Sequence, residues 1–211
     1  FVSLNSKPTS NVEIIIQGGF GQLKPRENKR IFFSVSDWYE KKEISVSAVD
    51  DNYDEGKSTF LIMKHSIVTA DDKIAKSIEY VPSNFVNVTI FDNDYADIAI
   101  SQTSLVLAEG FAGKEVFYQL TARPYYEVRL ILIGTTSTSV SQQMIIFSPN
   151  ITNWNARHRV VFMAVDDHVD EINLEVEYVK WNLLTTDQVY MNTSVPILST
   201  VVIDDDFASL N

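Results

Sequence analysis

Apolar and polar residues alternate along this chain in short runs rich in Val, Ile, Phe and Thr, and helical periodicity is nearly absent. Polar turns separate the runs about every ten residues, the pattern of a β-sandwich. In the first half the alternation predicts strands at Val2–Asn5, Val12–Gln17, Arg30–Val35, Glu43–Val49, Ser58–His65 and Asn84–Phe91. In the second half it predicts them at Ala99–Val106, Val116–Thr121, Val128–Ile133, Met144–Phe147, His158–Val165, Asn173–Lys180 and Pro196–Ile203. The more polar stretches Thr69–Lys76 and Thr185–Asn192 read as equivalent hairpin loops.

The two halves are copies of each other. AVDDNYDEG (Ala48–Gly56) returns as AVDDHVDEI (Ala164–Ile172), with Asp50 and Asp166 separated by 166 − 50 = 116 residues. At that offset Phe1 falls on Phe117, Leu4 on Leu120, Pro8 on Pro124, Val12 on Val128, Gly18 on Gly134, Trp38 on Trp154 and Asp71 on Asp187. Towards the end it becomes 206 − 94 = 112, aligning FDND (Phe91–Asp94) with IDDD (Ile203–Asp206). The repeats therefore occupy 1–94 and 95–206, with 207–211 opening a further unit or linker, since FASLN (Phe207–Asn211) matches the start of YADIA (Tyr95–Ala99).

The duplication is lopsided. The second unit begins with DIAISQTSLVLAEG (Asp97–Gly110), a strand with no counterpart in the first. A sandwich without that strand exposes an unpaired edge and a stripe of core. The missing strand is expected from residues before Phe1 or from another chain by strand donation.

Each AVDD copy places four carboxylates directly after an apolar run, EISVSAV in one case and RVVFMAV in the other. Such groups repel one another unless a cation lies among them. A hard ion taking six to eight oxygens suits an all-carboxylate set, which favours calcium over zinc. For a single copy a solvated acidic turn would be the better reading; recurrence at matching positions favours the metal. A net charge of −11 fits cation binding and argues against nucleic acid as a partner. No window approaches the roughly 18 apolar residues of a membrane span, so direct insertion is not expected. The absence of cysteine leaves packing, metal or neighbouring modules to supply rigidity.

A strand feeding a Trp turn, alternating apolars into AVDD-x-x-DE, and a closing strand ending in DND or DDD together resemble the Calx-beta domain. The resemblance implies two tandem, all-β, Ig-like antiparallel sandwiches of about seven strands, with any calcium held by loops at one end. Carried over, the ligands of the second unit would be Glu109, Asp166, Asp167, Asp170, Glu171, Asp204, Asp205 and Asp206. The first unit keeps Asp50, Asp51, Asp54, Glu55, Asp92 and Asp94, lacks the early glutamate, and has Asn93 where the second has Asp205. The second unit departs at Ile172, which replaces Gly56. By ligand count the second unit is the better site, and a cation near Asp92 and Asp94 would stiffen the module junction.

Three sequons, at Asn87, Asn150 and Asn192, fall on a predicted outward strand position and in two turns, as candidate N-glycosylation sites. GTTSTSVSQQ (Gly134–Gln143) reads as a flexible loop, with O-glycosylation the sharper alternative. GGFG (Gly18–Gly21) lacks the strand–helix context of a phosphate cradle and reads as a turn. Trp38 and Trp154 are expected to open equivalent strands as packing residues, while His65, His158 and His168 are dispersed. No nucleophile–base constellation stands out, so an enzyme is not expected. The expected role is a calcium-stiffened, N-glycosylated structural repeat of an extracellular or cell-surface protein or fibre. Its partners would be neighbouring repeats or identical subunits, joined end to end. The alternatives are a calcium-sensing regulatory module of a membrane transporter and a ligand-binding adhesion-receptor ectodomain.

Overall fold

The computed structural model describes residues 1–18, 21–25, 30–77, 85–171 and 175–209. The chain divides into two compact units: residues 1–51 with 55–92, and residues 52–54 with 93–211. Both are built of β-sheets, antiparallel among the described residues except where one pair of strands in the second unit runs parallel, the tandem all-β architecture that the Calx-beta resemblance implies.

In the first unit, β1 (Val12–Gly18), β3 (Arg30–Phe33), β5 (Ser58–Thr69) and β6 (Phe85–Phe91) form one sheet in the order β3-β1-β5-β6. β2 (Leu23–Pro25) and β4 (Val46–Ala48) form a two-stranded second sheet. A six-residue helix, α1 (Asp72–Ser77), lies in the stretch expected to be a plain hairpin loop, and Asp71 starts it by accepting the N–H groups of Lys73 and Ile74. Alternation along β1 buries Val12, Ile14 and Ile16, and with Ile31 and Phe33 these form the unit's small core.

The second unit carries nine strands among its described residues: β7 (Ile98–Ile100), β8 (Ser104–Ala108), β9 (Lys114–Leu120), β10 (Val128–Ile133), β11 (Thr138–Val140), β12 (Met144–Phe147), β13 (His158–Ala164), β14 (Glu175–Thr185) and β15 (Leu198–Ile203). One sheet runs β12-β10-β14-β15-β8 and the other β11-β13-β9-β7. Between them lies one continuous core in which Val116, Tyr118, Leu130, Phe162, Val179 and Leu198 are fully buried. The Trp181 indole N–H donates to the Tyr118 hydroxyl at 3.0 Å, and burial pushes that phenol up to about 12. The Tyr190 hydroxyl, on a single 3-10 turn (Tyr190–Asn192), donates to the Ala122 carbonyl at 2.6 Å.

The pairing of β1 with β5 reproduces that of β10 with β14 residue for residue. Val12 opposes Thr69 as Val128 opposes Thr185, and the lone Val2–Lys42 bridge is the image of Tyr118 opposite His158. Asp71 and Asp187 are equivalent clamps. Asp71 accepts the Thr9 N–H at 2.7 Å, and Asp187 accepts those of Tyr125 and Tyr126 at 2.5 and 3.0 Å.

Several expectations are corrected. The single strand over Ala99–Val106 is two, because the chain crosses from one sheet to the other at Ser101–Thr103. Val2–Asn5 forms only one bridge, since nothing described in the first unit pairs beside it as β7 pairs with β9. Gly134–Gln143 is not a free loop: β11 pairs with β13, and Thr138 is buried against Thr200. The two tryptophans sit in turns before the strands rather than opening them. The GGFG turn is described only at Gly18 and Gly21, both at positive φ; Gly19 and Phe20 lie outside the described residues, as do Asn84, Ile172, Asn173 and the end of FASLN.

Equivalent core positions differ between the units. Leu198 is fully buried whereas its counterpart Val86 is 45% exposed. Leu198→Ala is expected to cost about 2–5 kcal/mol, and Val86→Ala to stay within about 0.5 kcal/mol, as read by hydrogen exchange in each unit. The Thr9 contacts hold the Asp71 carboxyl at about 2, below its ordinary 3.8. A depressed carboxylate stabilises above the unfolded value and loses that contribution as pH falls through the folded one. NMR of the Thr9 amide should show its contact intact above pH 3.8 and released as the pH drops through about 2.

Candidate metal centre

Parallel pairing builds the site. β8 and β15 run side by side in the same direction, Ala108 opposite Ile203, so both strands end at one tip of the second unit. The residues that follow are Glu109 on one side and Asp204, Asp205 and Asp206 on the other. The Glu109 N–H donates to the Ile203 carbonyl at 3.1 Å, tying the ends together. Gly110 turns the chain away at φ 67°, and a Cβ there would lie 3.4 Å from an Asp205 carboxylate oxygen. Antiparallel neighbours would have placed the glutamate and the aspartates at opposite ends of the sheet.

One carboxylate oxygen from each of Glu109, Asp204, Asp205 and Asp206 lies within 4.8 Å of the others. Glu109 is 3% exposed. The 166–171 loop after β13 contributes backbone: the Asp167 N–H donates to the Glu109 carboxylate, and the Glu171 N–H to Asp204 Oδ2 at 2.8 Å. The Asp206 N–H donates to the other Asp204 oxygen at 2.9 Å. Asp204 is thus held by two amides, but Glu109 Oε2 and Asp206 Oδ2 are buried with no hydrogen-bond partner among the described residues.

Those orphaned oxygens are the electrostatic problem of the site. Burial pushes the Glu109 carboxyl up, and the charges of Asp204 and Asp167 push it further, against the Asp167 N–H. Burial likewise raises Glu171, with Asp167 and Glu175 adding to it, and raises Asp206, with Asp204 adding to it. The described side chains place no Lys or Arg in an ion pair with this cluster. A buried anionic group without partner or countercharge is costly. A donor set of carboxylate oxygens alone fits a hard divalent ion, calcium above all, and Glu109, Asp204, Asp205 and Asp206 would hold it.

The other expected ligands fall into different roles. Asp167 supplies its amide to Glu109 and its own carboxylate to the Val169 N–H at 2.8 Å. Asp170 accepts the Ala208 N–H at 2.7 Å, which closes the loop against the chain leaving β15. Asp166 is exposed and outside the four-carboxylate group, and Glu171 lies at its rim. His168, also in the loop, is exposed and close enough for its charge to act on Asp206.

In the first unit Asp92 accepts the Glu55 N–H at 2.8 Å, the image of Asp204 and Glu171. Asp54 is grouped with the second unit, where it accepts the Ala96 N–H at 2.8 Å, the image of Asp170 and Ala208. Asp94, like Asp54, is grouped with the second unit, and within the first unit Asp50, Asp51, Glu55 and Asp92 form no group of three converging carboxylates among the described residues. The first unit lacks the Glu109 position around which the second set gathers.

Two acidic residues escaped the sequence reading. Glu175 begins β14 close enough to raise Glu171, and it accepts the Ser137 hydroxyl. Glu177 accepts the Thr136 N–H at 2.6 Å and leaves its second oxygen buried without a partner. The E-V-E alternation that sets both on one face of β14 was the available signal. The three sequon asparagines, Asn87, Asn150 and Asn192, are exposed.

No protein-family model and no curated protein matches the chain. Among solved structures it is similar to CBD12 from CALX1.2, at 9% identity over 96% of this chain and 90% of that one, with a TM-score of 0.39. It is also similar to the calcium-binding domain CBD12 of CALX1.1, at 11% identity over 92% of this chain and 86% of that one, TM-score 0.39. The apo-form Calx CBD1 domain aligns at 18% identity over 54% of this chain and all of that one, TM-score 0.38.

Glu109→Gln should stabilise the second unit by about 1–3 kcal/mol in a chelator, because it removes an unpartnered buried charge. In calcium the order should reverse, wild type melting above the variant. Calorimetric melting of both proteins in chelator and in calcium checks the crossover.

Proposed function

We propose that the second unit is a calcium-binding module in which the ion locks three chain segments together at one tip. The supporting observation is the Glu109 carboxylate, buried with one oxygen unpartnered beside Asp204, Asp205 and Asp206. Without a cation the tip holds mutually repelling carboxylates. With one, the ends of β8 and β15 and the 166–171 loop share a countercharge, and the tip becomes rigid. On this reading the role is structural or regulatory.

On this reading the protein is a repeat module of an extracellular or cell-surface protein, built to be strung with similar repeats. The exposure of Asn87, Asn150 and Asn192 favours that setting over an intracellular transporter sensor, since each asparagine is open to glycan attachment. At Asn150 the side-chain oxygen accepts both the N–H and the hydroxyl of Thr152, at 3.1 and 3.0 Å, so the sequon is folded into a surface turn.

Isothermal titration with calcium should give one site on the second unit, and saturation at 100 times Kd should add about 2.7 kcal/mol of stability. Asp204→Asn should abolish the heat, and Asp50→Asn should leave it unchanged. A chain that shows neither heat nor a melting shift on adding calcium would falsify the proposal.

A further inference from the structure

The second unit shows what the first one lacks. There β15 is flanked on both sides, by β14 and by β8, which adds in parallel and buries Leu105 and Leu107 against the core. In the first unit β6 is the counterpart of β15: Ser58 opposite Phe91 repeats, at offsets of 116 and 112, the register in which Glu175 opposes Val202. Yet β6 ends its sheet, with β5 as its one partner among the described residues.

Burial records the difference position by position. Val86, Val88 and Ile90 alternate on β6 as Leu198, Thr200 and Val202 do on β15. Val86 is 45% exposed where Leu198 is fully buried, Val88 is half-buried where Thr200 is fully buried, and Ile90 is 9% exposed against 2% for Val202. The deficit spreads into β5, where Met63 and His65 are half-buried at the places of the buried Val179 and Trp181. On the far side of the unit an open cleft of about 530 Å³ lies between β3 and the segment before β4, lined by Ile31, Phe32 and Ile44. Val160, the counterpart of Ile44, is fully buried beside β9. A flat edge next to an uncovered apolar stripe is a strand-acceptor site.

We propose that the outer edge of β6 accepts an extended segment with the alternating pattern of Ser104–Ala108, supplied by polypeptide outside residues 1–211 and running parallel to β6. Two apolar side chains two residues apart, as at Leu105 and Leu107, cover Val86, Val88 and Ile90, while the backbone of the incoming strand satisfies the edge of the sheet. The occupant's chemistry is set by the second unit: uncharged residues outward, as at Ser104, Val106 and Ala108, leucine-sized residues inward, and no charge at the inward positions. This rests on the internal repeat and not on the cation, and the two fail separately when the test is run in a chelator.

The probe is a synthetic peptide with the sequence of residues 101–108, added to the whole chain in EDTA and followed by amide hydrogen exchange. Exchange across residues 85–91 should slow by about tenfold, the worth of an edge hydrogen bond, with residues 198–203 unchanged. A peptide carrying Leu105→Asp and Leu107→Asp, or a chain carrying Val86→Lys, should show no slowing. A spin label on the C-terminal end of the peptide should broaden Phe91 and not Phe85, which reports the parallel direction. No protection at high peptide concentration overturns the proposal, as does protection at 198–203, which would mean that the peptide only displaces β8. Protection of 85–91 without peptide, rising with protein concentration together with a dimer mass, would assign the edge to a second copy and overturn it as well.

Discussion

A carboxylate that the chain carries into its interior must find a proton, a hydrogen-bond network or a cation, and the tip of the second unit is arranged around Glu109 in that condition. The parallel register of β8 on β15 carries Glu109 to the level of Asp204, and Gly110 lets the chain turn away at φ 67°. Backbone amides answer part of the charge, since Asp167 donates to Glu109 while Glu171 and Asp206 donate to Asp204. They leave one oxygen each of Glu109 and Asp206 unanswered. Amide dipoles can orient such a cluster; neutralising it takes a positive charge.

The same strand explains why two copies of one sequence differ in chemistry and in packing. Where β8 is present, leucines at 105 and 107 seal one side of a continuous core and Glu109 gathers three aspartates. The first unit preserves the supporting hydrogen bond, with Asp92 accepting the Glu55 amide as Asp204 accepts that of Glu171, but it holds neither the seal nor the gathered carboxylates among its described residues. Core and site are therefore coupled through one short strand. A sandwich that loses it loses burial along β6 and the first ligand together.

Much of this was legible in the residues. The offset of 116 residues survives in the register of β1 on β5 and of β10 on β14, and the change to 112 falls between β5 and β6, where the pairing absorbs it. Val128–Ile133 and Met144–Phe147 matched their predicted bounds because clear turns flank them. What stayed hidden was set by tertiary pairing. The break in Ala99–Val106 follows from two sheets competing for one segment, and no local pattern announces it. Thr138 reads as part of a polar loop but is buried because Thr200 faces it across the sandwich. In the acidic loops, composition could not separate a ligand such as Asp204 from Asp170, whose carboxylate accepts the backbone N–H of Ala208, because both are one residue type in one motif. Only the direction of β8 relative to β15 tells them apart.

The most direct measurement is the diffraction of crystals of the chain grown with calcium and recorded at a wavelength where the ion scatters anomalously. A peak bonded to Glu109 Oε2 and to oxygens of Asp204, Asp205 and Asp206, at about 2.3–2.6 Å, is the predicted result. A clear map with no peak there, or with the ion at the exposed Asp166 instead, would contradict the account.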